Sequence, residues 1–118
     1  MRRKAVTLAA AAVMALGLAQ TASAAVVSHI SIAWNASTGR FHGKVTASNA
    51  ECIAGRTVRV FKKTSSGRSL QGKTISNSKG VWRIEVMHPH GHYFAVTPMQ
   101  TIMNTECGRA QSKTINVM

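Results

Sequence analysis

The sequence predicts an all-β domain, a sandwich of about seven short strands, and three observations carry that prediction. From residue 25 onward the chain holds nine Val, seven Ile and nine Thr but a single Leu, Leu70. Side chains branched at Cβ favour a pleated, half-buried surface over a helix. Apolar and polar residues alternate at period two in several segments, and turn signals separate those segments at intervals of about ten residues, the spacing of a sandwich.

Residues 1–24 stand apart from this pattern. Arg2, Arg3 and Lys4 precede a small-apolar run from Ala5 to Ala19, and Ala22-Ser23-Ala24 supplies the small residues of a cleavage site. This is the form of a secretory signal-peptide helix, so the mature protein is expected to be secreted and to begin near Ala25. The apolar run is shorter than the ~20 residues a membrane-spanning helix needs, and no later stretch approaches that length, so no transmembrane segment is expected in the mature form. Residues 25–118 are then one domain.

Within that domain Ile30, Ile32 and Trp34 alternate with Ser31 and Ala33, which predicts a first strand from Val26 to Trp34. Phe41, Gly43 and Val45 alternate with His42 and Lys44 in a second. Val58 and Val60 alternate with Arg59 in a third, over Arg56 to Lys63, leaving one basic face. Ser65-Ser66-Gly67 is a turn, and Leu70 to Ile75 is a fourth strand of weak pattern. Asn77-Ser78-Lys79-Gly80 turns the chain into the clearest strand, where Trp82, Ile84 and Val86 share one face and Arg83 and Glu85 the other. His92 to Thr97 is a sixth strand, ended by Pro98, where a missing amide donor does least harm. Met99 to Gly108 is expected to be a loop, and Arg109 to Val117 closes the domain as a seventh strand.

The chain has two Cys, Cys52 and Cys107, with 54 residues between them. In an exported chain they are most simply one structural disulfide. Neither has the Cys-x-x-Cys partner or the neighbouring His that redox chemistry would use.

Phe41-x-Gly43-Lys44-Val45, Cys52-x-x-Gly55-Arg56-x-Val58-x-Val60, Asn77-x-x-Gly80-x-Trp82, Gly91-x-Tyr93-x-Ala95, and Cys107 ahead of Ser112-x-x-Ile115-x-Val117 together resemble a family of small secreted β-sandwich proteins from actinobacteria. The same order of elements is similar to Ig-like, prealbumin-like and carboxypeptidase regulatory-like sandwiches. The resemblance implies a fold and a compartment but no activity. The chain departs from it before Gly91, where such proteins usually carry Lys and Pro and this one carries His88 and His90.

Charge narrows the function. The whole chain has a net charge of +12, and residues 25–118 keep 12 Lys and Arg against Glu51, Glu85 and Glu106, with no Asp anywhere. That removes Asp-based triads, calcium loops and phosphoryl-transfer sites, and the three Glu are scattered, so no enzyme activity is expected. Six of the 12 basic residues, Arg56, Arg59, Lys62, Lys63, Arg68 and Lys73, gather around one predicted hairpin. A cluster of this kind attracts polyanions in a salt-dependent manner, such as an anionic wall polymer or an acidic protein. Nothing in the sequence has the form of a sequence-specific nucleic-acid reader.

The expected function is therefore a non-catalytic binding or cell-envelope-associated module that needs no cofactor. The alternative is a copper or zinc protein. His88, His90 and His92 fall at i, i+2 and i+4, and in an extended chain three imidazoles so spaced project from one side. Phe61, opposite in parity to Val58 and Val60, is the candidate for an exposed aromatic, whereas Trp82 and Tyr93 are expected in the core.

Overall fold

The computed structural model describes residues 24–118, so the expected signal segment, apart from Ala24, lies outside the described residues. These residues form eleven short strands: β1 (Ser28–Ile30), β2 (Ala33–Asn35), β3 (Arg40–Ala47), β4 (Thr57–Thr64), β5 (Gly67–Ile75), β6 (Val81–Glu85), β7 (Gly91–Thr97), β8 (Gln100–Ile102), β9 (Thr105–Cys107), β10 (Ala110–Gln111) and β11 (Ile115–Val117). One 3-10 turn, Ala50–Cys52, interrupts them. Among the described residues no helix is long and apolar enough to cross a membrane.

Two sheets stack on each other, and every pairing between named strands is antiparallel. In the first, β3 lies between β6 and an edge made of β1 and β2 end to end. In the second the order is β5, β4, β7, and then an edge made of β10 and β11 end to end. The expected first and last strands are thus each split in two, and one local device splits both.

At Ser31 the backbone N–H donates to Lys44 O at 3.0 Å, while the Lys44 N–H turns to Ser31 Oγ at 3.0 Å. At Ser112 the N–H donates to Ala95 O at 2.9 Å, and the Ala95 N–H donates to Ser112 Oγ at 2.8 Å. In each case a hydroxyl takes the place of the ladder carbonyl, so the strand can bend without orphaning the neighbour's amide.

The expected loop Met99 to Gly108 is instead a hairpin, β8 with β9, carrying Cys107 at its end. Its turn residues Met103 and Asn104 both have positive φ, 50° and 67°, as a type I′ turn demands. Sequence offers no Asn-Gly or Gly-Gly there to announce it.

The inner faces meet in one core of Ile30, Ile32, Phe41, Val45, Val58, Val60, Trp82, Ile84, Tyr93 and Ala95, with Ala110 and Val117. An aromatic chain crosses it: Trp34 touches Phe41, and Phe41 of the first sheet meets Tyr93 of the second, with ring centroids 4.8 Å apart in both pairs. Trp82 is buried because Gly43 lies beside it in the ladder. A Cβ on Gly43 would stand 1.9 Å from Ser31 O and 2.8 Å from Trp82 Cζ2, so only a bare backbone fits under the bend at Ser31.

Tyr93 also ties down the connector ahead of its own strand. Its hydroxyl accepts from the His90 N–H at 2.8 Å and donates to His90 O at 3.2 Å.

The disulfide Cys52–Cys107 joins the 3-10 turn to β9 with 5.4 Å between the Cα atoms. In the chain-entropy account a loop of this length constrains the unfolded chain by about 4 kcal/mol.

Candidate functional site

The basic hairpin is built by β4 and β5, and alternation decides which residues it shows. Val58 and Val60 enter the core, which turns Arg59, Phe61 and Lys63 outward. Their partners on β5 are Lys73, Leu70 and Arg68 respectively.

Arg68 and Lys73 are five residues apart, and strict alternation would put them on opposite faces. A β-bulge prevents this: Val60 pairs Gly72 while Phe61 pairs Leu70, so Gln71 has no partner and the parity of β5 flips there. The bulge brings Arg59, Lys63, Arg68 and Lys73 to one side.

Between these cations lies an aromatic pair that only half showed in the sequence. Phe61 stacks on Phe94 of β7 with centroids 5.6 Å apart and planes at 25°. The Arg68 guanidinium lies 4.2 Å from the Phe61 centroid and Lys63 Nζ lies 5.9 Å from that of Phe94, within the range of cation–π attraction. Phe94 is 4% exposed although it faces away from the core, because Phe61 and Lys63 lie over it. Phe61 is legible in the sequence by its parity, whereas Phe94 is not legible that way. The uninterrupted apolar run Tyr93-Phe94-Ala95-Val96 was the available signal, since it marks a strand covered on both faces.

Lys62 and Arg56 do not join this face. Lys62 has the inward parity of β4 and sits opposite Tyr93, with its Cε close over Gly91 at the end of the strand. Arg56 is fully buried. Its five N–H groups all find neutral acceptors: Nε donates to Gln100 Oε1 at 3.1 Å, Nη1 to Ser28 Oγ and Cys52 O at 2.9 Å each, and Nη2 to Pro98 O at 3.2 Å and Gly108 O at 2.7 Å. Burial pushes this guanidinium below its ordinary range. Arg56 therefore acts as an internal clasp around the disulfide, holding the carbonyl of Cys52 and that of Gly108, the residue after Cys107, on one side chain.

The three histidines of the connector do not converge. All are exposed, but His88 has φ of 51°, which breaks the extended alternation their spacing would need. Among the described residues no group of three His, Cys, Asp or Glu is placed to hold a metal ion. His92 lies in register one step beyond the last pairing of β4 with β7, Lys62 with Tyr93, and so has the outward parity of Lys63.

The carboxylates lie elsewhere. Glu51 is in the 3-10 turn, Glu85 on β6 of the other sheet and Glu106 on β9. The outer face of β4, β5 and β7 therefore carries four cations, an aromatic pair and no glutamate. Four cations with no carboxylate among them give this face a positive potential that weakens as salt is added.

No family model, no curated protein and no solved structure matches this chain.

Proposed function

We propose that the chain is a secreted, non-catalytic module of Ig-like or prealbumin-like build that holds anionic polymers of the cell envelope on the outer face of β4, β5 and β7. The observation that carries this reading is the segregation of charge, with Arg59, Lys63, Arg68 and Lys73 on one face around Phe61 and Phe94 and all three Glu off it.

Two features support the Ig-like part. With β1 and β2 counted as one strand and β10 and β11 as another, the sheets are three and four strands wide, and the hairpin strand β5 stays beside β4. The hydroxyl of Tyr93, near the start of β7, bonds back to the main chain three residues upstream, as tyrosine does at a corner of Ig-type sandwiches. The signal-like residues 1–24 and the pairing of the two cysteines as a cystine support the secreted part.

The test is retention on immobilised heparin and on immobilised wall polymer under a salt gradient. The variant Arg59→Gln/Lys63→Gln/Arg68→Gln/Lys73→Gln should elute at much lower salt than the parent. Equal elution of the two proteins would remove this face as the binding surface. Binding to an acidic protein but to neither polymer would replace the polymer as partner.

A further inference from the structure

The outer face of the other sheet holds a second and differently shaped basic site. On β3, Arg40 and His42 point away from the core that Phe41 enters. The ladder sets His42 between Ala33 of β2 and Arg83 of β6, and Arg40 between Asn35 and Glu85. Asn35, Thr38, Arg40, His42, Val81 and Arg83 together line a recess of about 200 Å³.

Two arginines, a histidine, an asparagine and a threonine thus border one small space, together with Val81. Glu85, the carboxylate nearest in register, lines the neighbouring cleft by Trp34 and His88 and not this one. Asn35 is oriented by its own turn: the Ser37 N–H and Ser37 Oγ both donate to Asn35 Oδ1, at 3.0 and 2.7 Å. Its carbonyl oxygen is thereby engaged, while its two amide hydrogens are not consumed by those bonds.

A recess bordered by five residues that carry hydrogen-bond donors, and smaller than the ~300 Å³ at which drug-sized ligands begin to fit, matches a compact anion. Arginine forks suit a tetrahedral oxyanion, which offers them pairs of oxygens.

We infer that Arg40, Arg83, His42, Asn35 and Thr38 form a pocket for a single phosphate or sulfate group, on the opposite side of the molecule from the polymer-binding face. The pocket takes one terminal group end-on, whereas the face on β4 and β5 is open and suited to a strand lying across it. The two sites share no residue, so either can exist without the other.

The experiment is titration of the isotope-labelled protein with inorganic phosphate and, separately, inorganic sulfate, at constant ionic strength, followed by NMR of the arginine Nε–H and asparagine amide signals. The expected result is saturable shifts of Arg40, Arg83 and Asn35 with at least one of the two anions, and the tighter of the two identifies the source group. The variant Arg40→Gln/Arg83→Gln, with both positions exposed and its backbone spectrum serving as the check of folding, should weaken binding by about tenfold or more. Lys63→Gln/Arg68→Gln should leave it unchanged. Shifts that stay linear with both anions, or that persist undiminished in Arg40→Gln/Arg83→Gln, overturn the assignment.

Discussion

Arg56 is a cation with no surface and no carboxylate, and its five donors are all used on neutral oxygens. Removing it would leave several of those acceptors without a donor in a place water cannot easily reach, a larger loss than the bonds themselves are worth. Arg56→Met is therefore expected to lower the unfolding free energy by about 3–5 kcal/mol in chemical denaturation while Cys52–Cys107 stays formed. Arg56→Lys should recover only part of this, because one ammonium cannot serve five acceptors spread around a fork. Desolvation depresses the folded-state pKa, so the unfolded chain holds its proton to higher pH. This group then adds stability only as pH climbs through the alkaline window between the two values, and it leaves stability flat around neutrality. None of this was visible in the sequence. An arginine at the start of a basic strand looks like its neighbours Arg59 and Lys63 until the loops bearing Cys52, Pro98 and Gly108 are known to close over it.

Elements of this fold are bent by two serines, and their environments differ. The Ala95 amide served by Ser112 is buried, whereas the Lys44 amide served by Ser31 is exposed. Ser112→Ala should therefore cost about 1–3 kcal/mol, the penalty of a buried donor left unpaired, and Ser31→Ala distinctly less, because water can take over the bond. Comparison of the two denaturation midpoints checks this, and equal losses would contradict it. The β8–β9 hairpin carries a different weakness. Met103 sits at φ 50°, a region that costs an ordinary L-residue about 1–2 kcal/mol and that Asn tolerates better. Met103→Asn should accordingly raise the melting temperature by a few degrees. The strands around Trp82 and Val58 were legible because alternation against a core is a local signal. The β5 bulge and the β8–β9 turn were not, because an unpaired Gln71 and a Met-Asn turn leave no periodic or compositional mark.

At the scale of the whole molecule the arrangement is two stacked sheets, one cystine and a charge distribution that the fold sorts. The disulfide followed from cysteine count, and the all-β class from Val, Ile and Thr. The basic cluster was legible as a composition and not as a surface, since of its six residues four share the outer face, Lys62 turns toward the end of the strand and Arg56 goes inside. The second basic site, on β3 and β6, was hidden because Arg40, His42 and Arg83 are 43 positions apart at most in the chain and meet only through strand pairing. Amide chemical-shift mapping during titration with a soluble anionic polysaccharide at low salt tests whether the outer face of β4, β5 and β7 binds polyanions. The expected result is a contiguous set of perturbations at Arg59, Phe61, Lys63, Arg68, Leu70, Lys73 and Phe94 that fades as salt is added. Saturable binding that leaves those seven residues unmoved would contradict it.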